Sequence, residues 1–136
     1  MHAILRVTCA IIMADDKILC AQRGKNMSHP LQWEFPGGKV EIAESDEACI
    51  KREILEELNL QIEVQDSLQT TRHKYSEEKE IELIPFICSY IDGELKLKEH
   101  QEVRWLAFCE LQNLNWTEAD LPIVDELVKK YCNNKG

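Results

Sequence analysis

Positive charge is scarce in this chain. Only 16 lysines and arginines stand against 25 aspartates and glutamates, a formal net charge of −9. A binder of duplex nucleic acid needs a basic stripe, so that class is excluded. Long apolar runs are missing as well. The opening stretch from Ala3 to Ala14 is interrupted by Arg6 and is too short to span a bilayer. It has no basic leader and no small-residue cleavage site, and so reads as a strand rather than a signal peptide. No two of the six cysteines, at positions 9, 20, 49, 88, 109 and 132, are spaced as CxxC, which argues against a zinc site. Cys9 and Cys88 fall inside apolar runs, so the cysteines read as reduced core residues of a cytoplasmic protein. Linkers, repeats and low-complexity segments are also absent. What remains is 136 residues, 44% hydrophobic and 30% charged, expected to form one soluble domain over 1–136 with a sizeable core.

The pattern of elements is mixed. Ile4 to Met13 and Lys17 to Arg23 read as strands joined by a turn at Asp15-Asp16. A polar loop from Gly24 to Gln32 leads to a short strand, Trp33-Glu34-Phe35, which Pro36-Gly37-Gly38 should end as a tight turn. Ser45 can cap a helix running to about Leu58, with Asp46 and Glu47 well placed in its first turn. Strands are expected over Val64 to Tyr75, Glu80 to Tyr90 and Glu102 to Leu106. Ile123, Val124, Leu127, Val128 and Tyr131 give a last helix one apolar face. The layout is α+β.

The helix after the glycines carries the chemistry. Glu53, Glu56 and Glu57 stand at i, i+3 and i+4, so their carboxylates project from one side and repel one another. Ile50, Ile54 and Leu58 form the buried stripe on the other side. A solvated helix face would explain a bare acidic run. Divalent cations explain it better, because hard cations take carboxylate oxygens and bridge to substrate phosphates. Arg52, four residues before Glu56, can hold it by a charge-assisted hydrogen bond.

Gly38 to Leu60 resembles the signature of the Nudix hydrolases: Gly38, Glu44, then Arg52-Glu53-Ile54-Leu55-Glu56-Glu57-Leu58. The signature's final glycine is Asn59 here, the usual second choice where a helix ends in a left-handed backbone. The string Trp33-Glu34-Phe35-Pro36-Gly37-Gly38-Lys39 is similar to the MutT-like nucleoside triphosphate pyrophosphohydrolases. The resemblance implies a Nudix α/β/α sandwich with a mixed sheet. It implies Mg²⁺, with Mn²⁺ as a substitute, on Glu53, Glu56, Glu57, the Gly37 carbonyl and Glu99. Catalytic roles would fall to Glu53 or Glu99 as base, Glu44 in support of the helix or of water activation, and Arg52. Arg23 and Lys39 would clamp phosphates beside Gly38. A small-molecule nucleotide is the implied partner, with no nucleic acid or membrane and a monomeric or homodimeric state.

Glu99-His100-Gln101-Glu102-Val103-Arg104-Trp105 and Ala119-Asp120-Leu121-Pro122 are similar to the CTP pyrophosphohydrolase branch. Asp120 would then read the base, with Phe35 as a wall or stacking surface. Asp120 could also sit in the first turn of the last helix with Thr117 as its cap, a role compatible with base reading. An ionised Asp only accepts and suits guanine, whereas a protonated Asp can donate to cytosine N3 and accept from N4. The resemblance favours CTP, dCTP or modified pyrimidine forms, hydrolysed to monophosphate and pyrophosphate. An 8-oxo-dGTP cleansing enzyme is the nearer alternative. An ADP-ribose or dinucleotide hydrolase and a non-catalytic Nudix module are more distant ones.

Overall fold

The computed structural model describes residues 3–132. Its elements run β1 (Ala3–Ala14), β2 (Lys17–Gln22), β3 (Trp33–Glu34), β4 (Gly37–Lys39), α1 (Asp46–Leu58), β5 (Gln61–Ser67), β6 (Thr71–Lys74), β7 (Lys79–Asp92), β8 (Glu102–Leu106) and α2 (Leu121–Tyr131). Short 3-10 turns occupy Phe108–Asn113 and Glu118–Asp120. One eight-stranded sheet has the path β3-β2-β1-β7-β5, with β4 added to β1, β6 to β7 and β8 to β2. β1 and β7 pair in parallel from Ala3↔Lys79 to Met13↔Ser89, while the other pairs are antiparallel, so the sheet is mixed.

Strand alternation divides the core between the two faces. Ala10 and Ile12 of β1 pack with Ile50, Ile54 and Leu58 of α1. Cys9 and Ile11 point the other way, into a cluster with Trp33, Leu111 and Ile123, Val124 and Leu127 of α2. The sheet therefore lies between helices, as the family resemblance implies.

Local signals account for the ends of α1. The Ser45 hydroxyl accepts from the Ala48 N–H at 3.1 Å, and Asp46 and Glu47 occupy the first turn. Asn59 closes the helix at φ 60° and ψ 31°, its N–H bonded to the Leu55 carbonyl. Its side chain donates to the Glu94 carbonyl at 2.9 Å. Asp15 and Asp16, at φ 52° and 66°, make the expected turn between β1 and β2.

Four expectations need correction. The strand anticipated from Val64 to Tyr75 is two strands, parted where Leu68 turns into the core. Pro36-Gly37-Gly38 is not a tight turn: Gly37 and Gly38 pair in β4 with Cys9 and Thr8 of β1, and neither has a positive φ. Close approach is what they permit. A Cβ at Gly37 would strike the Thr8 carbonyl, and one at Gly38 would land on the Glu53 carboxyl group. Thr117 stands at the start of the Glu118–Asp120 turn but makes no side-chain capping bond: the Asp120 N–H is bonded to the Thr117 carbonyl at 3.1 Å. Cys9, Cys20, Cys49 and Cys88 are free and buried, but Cys109 and Cys132 form a disulfide with their Cα atoms 5.2 Å apart. Apolar runs mark Cys9 and Cys88 in the sequence, and extending that reading to all six fails: Cys109 is exposed and Cys132 half-buried, both outside the core. Among the described residues no helix is long and apolar enough to cross a membrane.

Candidate active site

Arg52 organises the acidic side of α1. Its Nε and Nη2 donate to the two oxygens of Glu44 at 2.6 and 3.0 Å. Nη1 reaches Glu53 at 3.0 Å and Glu56 at 3.2 Å, and Nη2 also meets the Lys39 carbonyl at 3.2 Å. Glu44 takes a further hydrogen bond from the Glu41 N–H. The guanidinium and that N–H hold the Glu44 carboxyl down at about 2. Glu53 lies over the bare Cα of Gly38, and Glu56 is exposed.

Glu57 differs from its neighbours. Its Oε1 is buried and has no hydrogen-bond partner. Burial pushes its carboxyl up to about 9, helped by a hydrogen bond with Glu53 and by the charges of Glu53, Glu34 and Glu99. Among the described residues no three His, Cys, Asp or Glu side chains are drawn together as a ready-made cation cage. The chemistry of the residues nevertheless fits a hard divalent cation. An orphaned carboxyl oxygen, kept protonated by burial and like charge, is what a cation would ionise and satisfy. Gly38 leaves room beside it for the Glu53 carboxyl.

A cavity of about 620 Å³ opens beside this helix. Glu57, Gly37, Lys39, Arg23 and Glu99 line it from the expected phosphate side, and Phe35 and Asp120 from the expected base side. Glu44, Arg52, Glu53 and Glu56 do not line it, nor does Gly38. Lys39 is exposed. Arg23 is already engaged: Nη1 donates to Glu34 at 2.6 Å, Nε to the Ser28 carbonyl at 2.6 Å and Nη2 to the Ser28 hydroxyl at 2.9 Å.

Asp120 is 5% exposed. Its Oδ2 accepts from the Phe35 N–H at 2.9 Å. Burial and the Glu34 charge outweigh that bond and the Arg23 charge, so the carboxyl is pushed up to about 8. The Phe35 ring is buried and packed on Trp116 with centroids 4.6 Å apart, so Phe35 offers a wall and a backbone donor rather than a free stacking face. Tyr75 does line the cavity with an exposed ring, flanked by His29 and His73 at 5.8 and 4.6 Å. Sequence reasoning missed Tyr75, Glu34 and His100. Tyr75 closes a strand beside a polar turn, and neither of the others carries a periodic signal.

The NUDIX domain model matches residues 4–127, and the chain belongs to the Nudix hydrolases, enzymes that act on phosphoanhydride bonds. Within that family its relatives are MutT-like. The CTP pyrophosphohydrolase of Escherichia coli (strain K12) is 33% identical over 121 residues, covering 89% of each chain. An 8-oxo-dGTP diphosphatase of Buchnera aphidicola subsp. Schizaphis graminum (strain Sg) is 28% identical over 123 residues, or 90% of this chain and 92% of its own. The solution structure of a DNA mismatch repair protein MutT from methicillin-resistant Staphylococcus aureus 252 superposes with a TM-score of 0.76. It is 42% identical and covers 96% of this chain and 99% of its own.

Proposed function

We propose that this Nudix hydrolase splits a nucleoside triphosphate into monophosphate and pyrophosphate with Mg²⁺, favouring CTP, dCTP or modified pyrimidine forms. The observation that carries the reading is Asp120: a buried carboxyl pushed up to about 8, in the same cavity as Glu57. At neutral pH such a group is protonated and offers a donor beside an acceptor, the complement of cytosine N3 and N4. With Oδ2 held by the Phe35 N–H, its orientation toward a base is set before substrate arrives. The CTP pyrophosphohydrolase among the relatives supports the same choice.

The residues that would hold Mg²⁺ are Glu53, Glu56 and Glu57, with the Gly37 carbonyl and Glu99. Bound there, the ion supplies charge neutralisation on the phosphate oxygens and makes water a better nucleophile near neutral pH. Arg52 keeps Glu53 and Glu56 oriented and anchors them through Glu44 to the loop before α1. Lys39 and Arg23 meet phosphate charge, Arg23 by exchanging its contacts with Glu34 or Ser28 for substrate. Glu53 or Glu99 takes the proton from the attacking water.

The test is a panel of ordinary and modified nucleoside triphosphates with Mg²⁺, comparing kcat/KM and identifying products. Highest efficiency on a cytosine nucleotide, with pyrophosphate released, is the expected result. A marked preference for 8-oxo-dGTP, as the names of several relatives suggest for those proteins, overturns the substrate choice. No metal-dependent pyrophosphate release from any nucleotide overturns the reading itself.

A further inference from the structure

Glu34 ties two distant parts of the cavity wall together. One of its oxygens takes Arg23 Nη1 at 2.6 Å and the other pairs with His100 Nε2 at 2.8 Å. His100 directly follows Glu99, and its side chain is only 2% exposed. Its Nδ1 is buried without any partner. An orphaned buried N–H is rarer in proteins than an orphaned acceptor, so the proton belongs on Nε2, where it is donated to the Glu34 carboxylate. Arg23 compensates the charge on that carboxylate.

The backbone around His100 is fastened at the same place. The Gln101 N–H donates to the Gln22 carbonyl at 2.8 Å. Gly24 lies so close that a Cβ there would come within 2.8 Å of the Glu99 carbonyl oxygen. The Glu99 carboxylate itself has no hydrogen bond or ion pair among the described residues, although the residue lines the cavity. Its position depends on what holds its neighbour.

We infer that His100 is a positioning residue, which through its Nε2–H bond to Glu34 presents Glu99 to the cavity beside Glu57. This inference rests on the proposed hydrolytic reading, in which Glu99 serves the metal or the attacking water. A buried imidazole suits the task because it spans from the loop to β3 and directs one donor at Glu34.

The experiment uses the full chain and compares His100→Ala and His100→Gln with the parent. Loss of such an outer partner typically costs about 10- to 100-fold in metal affinity or activity. His100→Ala is expected to lower kcat by that factor and to raise the Mg²⁺ concentration giving half-maximal rate, with the nucleotide KM within about twofold. Gln places an N–H near the position of Nε2 and should recover most of it. Two readouts do not depend on turnover. Long-range ¹H–¹⁵N spectra of the parent should show the His100 proton on Nε2 and an unprotonated Nδ1. Mn²⁺ titration followed by electron paramagnetic resonance should show weaker binding in the Ala variant and restored binding in the Gln variant. Parental kcat and metal requirement in His100→Ala, or a proton on Nδ1 in the parent, overturns the inference. If His100→Ala does not fold, the Gln variant and the parental spectra decide it. If the parent releases no pyrophosphate from any nucleotide with Mg²⁺, the hydrolytic reading fails instead, and the imidazole spectra still test the anchor.

Discussion

The Glu53 carboxyl group occupies the space that a side chain at Gly38 would need. Gly37, one residue earlier, is pressed against the backbone of Thr8. The neighbouring glycines therefore serve different ends, and alanine should separate them. At 38 the added methyl meets the mobile end of a side chain, so the fold survives and Glu53 is displaced. If Glu53 has the role proposed for it, a misplacement of about 1 Å costs on the order of 100-fold. Gly38→Ala should lose about that much kcat/KM with a native melting curve. Gly37→Ala should lose stability, by about 1–3 kcal/mol as overpacked cores do. Similar melting temperatures and similar activities for the pair would show that the contacts are not those described.

Glu44 and Arg52 should make part of the stability depend on acid. The Arg52 guanidinium holds the Glu44 carboxyl at about 2, below its ordinary 4.5. A lowered carboxyl pKa stabilises the fold fully above the ordinary value, and that contribution disappears as pH falls through about 2. Glu44→Gln should therefore lower the urea midpoint at pH 7. The gap to the parent should shrink below pH 4.5 and close near pH 2. A gap that stays constant over that range would mean that the pair does not act through charge.

The parts of this site written in short-range spacing are legible in the sequence itself. Three and four residues separate the acids of α1, and a helix converts that into one face. Ser45, Asn59 and the bounds of β8 follow from equally local chemistry. The rest depends on partners far along the chain. Nothing near Glu34 announces a bond to His100, 66 residues away. The parallel pairing of β1 with β7 is also invisible locally, since each strand alone shows only apolar alternation. Gly37-Gly38 misleads for the same reason. Their local propensity signals a turn, while the constraint that selects them is the tertiary approach of Thr8 and Glu53.

The pair Cys109–Cys132 joins the 3-10 turn at Phe108–Asn113 to the residue that closes α2, across a separation of 23 residues. Closing a loop of that size restrains the unfolded chain by about 3 kcal/mol in the chain-entropy treatment. Cys109→Ser, or a reductant acting on the parent, should lower the unfolding free energy by roughly that amount. Reductant should have no effect on the variant. Cys9, Cys20, Cys49 and Cys88 are buried, so the oxidised native protein should give almost no reaction with a thiol reagent until it is unfolded. Two rapidly reacting thiols in the protein as isolated would show that the bridge is absent.

Asp120 makes the strongest prediction, because its two protonation states suit different bases. Its carboxyl, ordinarily near 3.8, is pushed up to about 8 by burial. The folded protein therefore binds this proton more tightly than the unfolded chain does. Its contribution to stability is fully present below 3.8 and is lost as pH climbs through about 8. Over the same upper range the side chain changes from donor and acceptor to acceptor alone, exchanging a match for cytosine for a match for the N1 and N2 donors of guanine. The ratio of kcat/KM for CTP to that for 8-oxo-dGTP should fall as pH rises from 7 to 9. Effects on water activation or on the metal are common to both substrates and cancel in the ratio. Asp120→Asn offers a donor and an acceptor at every pH, so it should flatten the ratio while leaving metal-dependent turnover largely intact. A parental ratio that is already flat over this range would remove Asp120 from base reading.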